Sequence, residues 1–365
     1  MNKRPLKMTT IGALLMSVIL FACQHNTEEE VLIWNDPSSA ADTLYQNPVF
    51  EPDLADPSFI RTADGWFYAY GTENEWAPGE YRITPIIKSK DMVNWEFVAN
   101  AFQTKPTWHS TGGIWAPQIV FNSTDGLYYL YYGFSAWGDS NPGVGVATSK
   151  NPEGPFEDQG KILDNQSSGV WNSIDQFYIE TGSGRNKKRY LIWGSFAGIY
   201  GVEMSDMKTP KLSTKFKIAG NGFEGSYIFE HEGFYYYFGS NGNCCEGANS
   251  KYRLSVARST DIKGPYLRKD GVDIIHDNTE GTPFLHGDQS VGWVGPGHNG
   301  EIIVDDRGHY FILYHAIKYD NPLLPNGATR RPLMMDEIIW VDGWPTIEGG
   351  VPSNTLKPAP YFEKE

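Results

Sequence analysis

Apolar and polar positions follow one recurring arrangement along this chain. A short apolar strand leads into a polar turn. An aromatic-rich strand follows, and a second apolar strand comes after another turn. The aromatic strands of the five copies are 64–70 (DGWFYAY), 125–131 (DGLYYLY), 188–193 (KRYLIW), 232–238 (EGFYYYF) and 307–314 (RGHYFILY). The strands before them are 57–61, 118–121, 176–179, 226–229 and 300–304, and those after are 84–88, 144–149, 199–204, 252–259 and 333–340. The spacing leaves room for a fourth strand before each next copy, so each copy predicts a four-stranded antiparallel unit. Such units set around an axis form a β-propeller, and each must pack on its neighbours because one alone cannot bury both faces. The expected fold is therefore all-β, a five-bladed β-propeller. A β-sandwich also has short strands and tight turns, but it does not account for five similar units. After the first twenty or so residues no long stretch has helical periodicity. The 39 Gly, 23 Pro and 14% aromatic residues agree with many short strands and turns.

In a propeller the first strand of each blade lines the central channel, and residues at its start surround one mouth. The turn glycines Gly65, Gly126, Gly233 and Gly308 align four copies, and Tyr190 places the third. Nine or ten residues before those glycines lie Asp56, Ala116, Glu224 and His298, and the third copy supplies Asp175. Any one of these acids alone could be a turn residue. Their matching register in separate copies makes them candidates for joint chemistry. Two carboxylates with different proton occupancy can flank a glycosidic bond as base and acid. A third nearby can raise the acid's pKa by like-charge repulsion. His298, in Gly295-Pro296-Gly297-His298-Asn299-Gly300, reads as a metal ligand, a sugar hydrogen-bond donor or a turn residue.

The formal net charge of −14 argues against a nucleic-acid partner, which would need Lys and Arg to displace phosphate counterions. A neutral sugar fits better. Three cysteines, Cys23, Cys244 and Cys245, make no disulfide framework, and no CxxC, HExxH or phosphate-binding glycine motif occurs. Cys244 and Cys245 read either as free thiols or as a vicinal disulfide. Residues 1–22 have a basic start and an apolar run too short to span a membrane, the form of a signal peptide. Leu20-Phe21-Ala22-Cys23 resembles a lipobox, and residues 23–46 read as the lipidated cysteine and a tether, leaving 47–365 for the propeller. The expectation is an exported bacterial lipoprotein on the periplasmic or outer face of a membrane, attached only through Cys23.

Leu54-Ala55-Asp56-Pro57, Ser173-Ile174-Asp175 and Phe223-Glu224-Gly225-Ser226-Tyr227 resemble the motifs of glycoside hydrolase family 43, from about 47 to 344. The resemblance implies Asp56 as general base, Asp175 as pKa modulator and Glu224 as general acid of an inverting glycosidase, with the carboxyls ~6.5–9.5 Å apart. The segments Cys244-Cys245-Glu246-Gly247-Ala248-Asn249-Ser250-Lys251-Tyr252, Tyr314-His315-Ala316 and Gly343-Trp344-Pro345 look most like the arabinanases of that family. This implies an endo-acting enzyme on α-1,5-linked arabinofuranose, with a plant cell-wall polysaccharide or oligosaccharide as substrate. The alternatives are an exo-acting arabinofuranosidase or β-xylosidase, if loop 74–82 or 317–331 blocks the groove, and a non-catalytic sugar-binding lipoprotein. The resemblance also implies Ca2+ near His298, held through water because calcium favours oxygen ligands, and no organic cofactor. Trp115 would stack on a sugar or pack a blade, and Asn172 would bind a hydroxyl or shape a turn. The chain departs from the family at Gln118 and Gln176, where an acid and a proline are usual, and it lacks a Ser-Ala-Ile-Gly segment near 141–145.

Overall fold

Each of the five sequence copies folds as a four-stranded antiparallel blade in the computed structural model, which describes residues 43–363. The signal-peptide and lipobox readings fall on residues outside those described. Blade 1 comprises Ser58–Arg61, Phe67–Tyr70, Pro85–Ser89 and Glu96–Asn100. Blade 2 comprises Gly113–Asn122, Leu127–Ser135, Gly143–Ser149 and Glu157–Asp164, and blade 3 Phe177–Thr181, Lys188–Trp193, Ile199–Met204 and Pro210–Ala219. Blade 4 is built from Glu224–His231, Phe234–Asn241, Arg253–Ser259 and Thr282–His286. In blade 5 the innermost strand is broken into Trp293–Gly297 and Ile302–Val304, both paired with Tyr310–Lys318, and Leu333–Val341 and Trp344–Thr346 complete the sheet. The fourth strand expected in each copy is present. Among the described residues no helix is long and apolar enough to cross a membrane.

The aromatic strands hold the blades against one another. Tyr131 of blade 2 stacks on Tyr178 of blade 3 with ring centroids 5.2 Å apart, and Phe177 of blade 3 meets Tyr227 of blade 4 edge-on at 5.1 Å. Such contacts suit rings with a negative face and a positive edge. Amides add polar seams: Gln118 Nε2 donates to the Tyr178 carbonyl and the Tyr178 amide donates back to Gln118 Oε1. The glutamine found where the family has an acid thus ties two blades together.

Blade 5 takes all its strands from one end of the chain, so ring closure falls to a strap at the other end. Leu44–Tyr45, within the stretch read as tether, pairs with Lys357–Pro358. The Val49 amide donates to the Leu333 carbonyl at 2.9 Å and the Leu54 amide to the Arg331 carbonyl at 3.0 Å. Inside the ring, Glu301 of blade 5 accepts from Ser58 Oγ at 2.7 Å and from the Phe59 amide. A Cβ on Gly300 would lie 2.7 Å from the Pro57 carbonyl oxygen, so the two blades approach as closely as a glycine permits. Gly300→Ala is therefore expected to destabilise the fold by about 1–3 kcal/mol through overpacking, measured by urea denaturation. An unchanged midpoint would contradict this closure.

Candidate active site

Five residues enter the inner strands with left-handed backbone: Asp56 (φ 52°), Ala116 (44°), Asp175 (56°), Gly225 (58°) and His298 (41°). Two residues further on the strands pair alike, Ser58 with Tyr70, Gln118 with Tyr131, Phe177 with Ile192 and Tyr227 with Phe238. The equivalent residue in blade 4 is therefore Gly225, and Glu224 stands one position earlier. Counting back from the turn glycine misses this because hairpin lengths differ. Residues 62–66 separate the paired Arg61 and Phe67, whereas only 232–233 separate His231 and Phe234. The offset gives Glu224 an approach to the channel mouth different from that of Asp56 and Asp175.

Four of these five residues have their amide capped by a side chain of the preceding blade. Asp56 donates to His315 Nδ1 at 3.1 Å, Ala116 to Thr72 Oγ1 at 2.8 Å, Gly225 to Asp175 Oδ2 at 3.1 Å and His298 to Ser240 Oγ at 2.8 Å. These caps satisfy amides that the strand ladder does not reach. One of them joins the Asp175 carboxylate to the backbone beside Glu224.

Asp56 is built to stay ionised. Its Oδ1 accepts from Arg331 Nη1 at 2.9 Å and lies 3.3 Å from His298 Nδ1, and its Oδ2 accepts from Thr72 Oγ1 at 2.6 Å. Burial alone would raise its pKa, but Arg331, then His298, hold it well below the usual carboxylate range. Arg331 is itself fixed from behind, because its amide donates to buried Asp53 at 2.7 Å.

Glu224 is built the other way. Burial, then the neighbouring Asp175 carboxylate, pushes its pKa up to about 7. Tyr252 donates to its Oε1 at 2.6 Å and Ser195 to its Oε2 at 2.7 Å, which opposes the rise and fixes the plane of the carboxyl. Burial raises the Asp175 pKa as well, against the pull of His298 and with a further push from Asp56. The structure thus gathers Asp56, Asp175, Glu224 and His298 at one mouth of the channel.

His298 is buried, which alone would lower its pKa, yet Asp56 and Asp175 carry it up to about 9. It lies against Gly225, where a Cβ would fall 3.0 Å from His298 Cγ. Among the described residues no group of three or more His, Cys, Asp or Glu side chains could hold a metal ion. His298, whose Nδ1 lies 3.3 Å from Asp56 Oδ1, is the residue that would face a Ca2+ held through water.

Asn172 donates its side-chain amide to the Ser195 carbonyl at 3.1 Å, steadying the loop that brings Ser195 to Glu224. Trp115 sits at the start of blade 2 beside Ala116, its ring centroid 5.6 Å from that of Trp137. Trp137 is 80% exposed and Trp171, next to Asn172, is 63% exposed. Cys244 and Cys245 form a vicinal disulfide in the loop leading to Tyr252. Sequence reasoning missed Arg331, Thr72, Ser195 and the roles of Tyr252 and His315. Arg331 was visible only as part of an insert, and no local pattern says that a loop arginine will fold back onto a carboxylate from the far end of the chain.

The model of glycosyl hydrolases family 43 matches residues 45–345. The extracellular exo-α-(1→5)-L-arabinofuranosidase of Cellvibrio japonicus is 32% identical, over 81% of this chain and 86% of that protein. The extracellular endo-α-(1→5)-L-arabinanase 1 of Bacillus subtilis is 29% identical, over 80% and 87%. The solved Cellvibrio cellulosa α-L-arabinanase complexed with arabinohexaose superposes with a TM-score of 0.68 at 29% identity, covering 82% of this chain and 96% of that one. The propeller, the ring of acids at its mouth and these likenesses agree: the chain belongs to glycosyl hydrolase family 43 and is a glycosidase acting on O-glycosyl bonds.

Proposed function

We propose that this enzyme hydrolyses α-1,5-linked L-arabinofuranose within arabinan chains, with inversion at the anomeric carbon. The observation that carries the reading is the opposed electrostatics of Asp56 and Glu224 at one channel mouth. Ionised Asp56 takes a proton from water as the water oxygen bonds to the anomeric carbon. Protonated Glu224 gives its proton to the glycosidic oxygen as the carbon–oxygen bond breaks. Asp175 and His298 keep the two proton occupancies apart. The exposed rings of Trp137 and Trp171, with Trp115, offer apolar faces to the C–H surfaces of successive sugars. The names of the arabinan-degrading relatives and the arabinohexaose-bound neighbour support the substrate.

A second reading, exo action, is favoured by one contact. Asn326 Nδ2 of the 317–331 insert reaches Asn74 Oδ1 of the Asn74–Glu75/Tyr81–Arg82 hairpin at 3.5 Å, so the two loops meet at the rim. Product analysis on linear α-1,5-arabinan separates the readings. A ladder of short oligosaccharides is expected, whereas release of arabinose alone would establish a blocked groove.

We also infer that the protein is exported and lipid-anchored at Cys23, which the signal-like residues 1–22 and the relatives named extracellular support. Wild-type protein is expected to incorporate labelled palmitate and Cys23→Ser to lose the label. Equal labelling of both would overturn the anchor.

Two kinetic outcomes test the chemistry. Glu224→Gln is expected to lower kcat on arabinan by ~10²–10⁴-fold, the usual worth of general acid catalysis, and near-normal turnover would refute the assignment. The pH profile of kcat/KM follows from the signs of the shifts. Glu224 must hold its proton, so activity falls as pH rises through about 7. Asp56 must be ionised, and its depressed pKa keeps it so well below the ordinary carboxylate range. Asp175→Asn removes a charge that holds Glu224 up, so the alkaline limb should move to lower pH; a limb that stays put would contradict the role of Asp175.

A further inference from the structure

Tyr252 immediately precedes the third strand of blade 4, and its buried ring lies between the backbone of Gly297 and the ring of His315. A Cβ on Gly297 would lie 2.1 Å from Tyr252 Cδ1, and one on Gly295 would lie 2.4 Å from Ser250 Oγ in the same loop. Gly297 thus clears the space that the Tyr252 ring fills, while Gly295 leaves room for Ser250, two residues before Tyr252. On its other side the ring stacks on His315 of blade 5, with centroids 5.8 Å apart and planes 9° from parallel, within the range of offset stacking. At one end of this pair the Tyr252 hydroxyl donates to Glu224 Oε1 at 2.6 Å. At the other end His315 Nδ1 accepts the Asp56 amide at 3.1 Å.

His315 is fully buried. Burial, reinforced by Arg331, keeps the ring neutral. Its Nδ1 is the acceptor, so the proton sits on Nε2. The groups facing this pair are Glu224, Asp175, Asp56, His298 and Arg331. A phenylalanine would fill the space at Tyr252 equally well. A buried hydroxyl is tolerated only with a partner, and the partner here is the carboxyl read as the acid.

We propose that Tyr252 and His315 are positioning residues that together set the gap between general acid and general base. Tyr252 orients the Glu224 carboxyl through its hydroxyl. His315 holds the backbone of Asp56, and the stacked rings fix the spacing between the two attachments. An inverting glycosidase needs this, because a water must fit on one side of the sugar while the acid reaches the leaving oxygen on the other. This chain of hydrogen bond, ring stack and hydrogen bond crosses from blade 4 through blade 5 to blade 1. The gap is therefore set by a rigid ring pair and not by the packing of whole blades.

The proposal rests on the reading of Asp56 as base and Glu224 as acid, and leaving-group dependence tests the two separately. Wild type and variants are compared on linear α-1,5-arabinan and on a nitrophenyl glycoside of an α-1,5-arabino-oligosaccharide, whose phenolate departs without protonation. Glu224→Gln serves as control: a large loss on arabinan and a small one on the nitrophenyl substrate upholds the acid, and equal losses refute it whatever Tyr252 does. Tyr252→Phe keeps the stack and removes the hydroxyl. It is expected to lower kcat/KM about tenfold or more on arabinan and less than about threefold on the nitrophenyl substrate. Equal losses on both would reduce Tyr252 to a packing residue and overturn the proposal. His315→Phe keeps the stack and removes the acceptor. It should lower both rates by similar factors, since the base acts in every turnover; unchanged rates would overturn its role. Should that variant fail to fold, His315→Asn retains an acceptor but removes the ring, and it is expected to show the leaving-group dependence of Tyr252→Phe. An equal loss on both substrates would overturn the spacer.

Discussion

Left-handed backbone at the start of each inner strand is the constraint on which the rest of the molecule depends. Asp56, Ala116, Asp175 and His298 all adopt it with side chains attached, and only blade 4 uses a glycine there. Such conformations cost of order 1–3 kcal/mol each and persist only where the surroundings over-determine them. Here the surroundings are the neighbouring blades, whose side chains cap four of the five amides. The strain of one blade is thereby held by the blade before it. Closing the ring and gathering the acids are the same structural event.

The same geometry separates two carboxyls that would otherwise behave alike. Both are buried, and burial pushes both pKa values upward. Asp56 escapes because Arg331 arrives from the far end of the chain with His298 beside it. Glu224, one position out of register, meets hydroxyls and the Asp175 carboxylate instead. One fold therefore favours the ionised form of one buried carboxyl and the protonated form of the other at one pH.

Much of this is legible in the sequence because a propeller repeats itself. The aromatic strands, their turns and the four-strand unit follow from local periodicity, and the blades fold where that pattern puts them. The candidate acids stood out for the same reason. The register of Glu224 was not legible, because hairpin lengths vary between copies and only strand pairing reveals which residue opens each inner strand. Arg331, Ser195 and Thr72 were not legible either. Each reaches the site from a loop or a strand end in contact with a residue distant in sequence, and no local signal encodes that meeting. Tyr252 and His315 lay in segments already singled out, but their stacking depends on the close approach of Gly297 to the tyrosine ring, which arises only in three dimensions.

The central claim is that Asp56 delivers water to one face of the sugar while Glu224 protonates the opposite side in a single displacement. Proton NMR of the reducing ends released in the first minutes from α-1,5-arabinan tests it most directly, before mutarotation mixes the anomers. The arrangement of base and acid predicts that the β-anomer appears first and the α-anomer only later by mutarotation. An initial α-product would mean retention through a covalent intermediate, and it would contradict both Asp56 as base and Glu224 as acid.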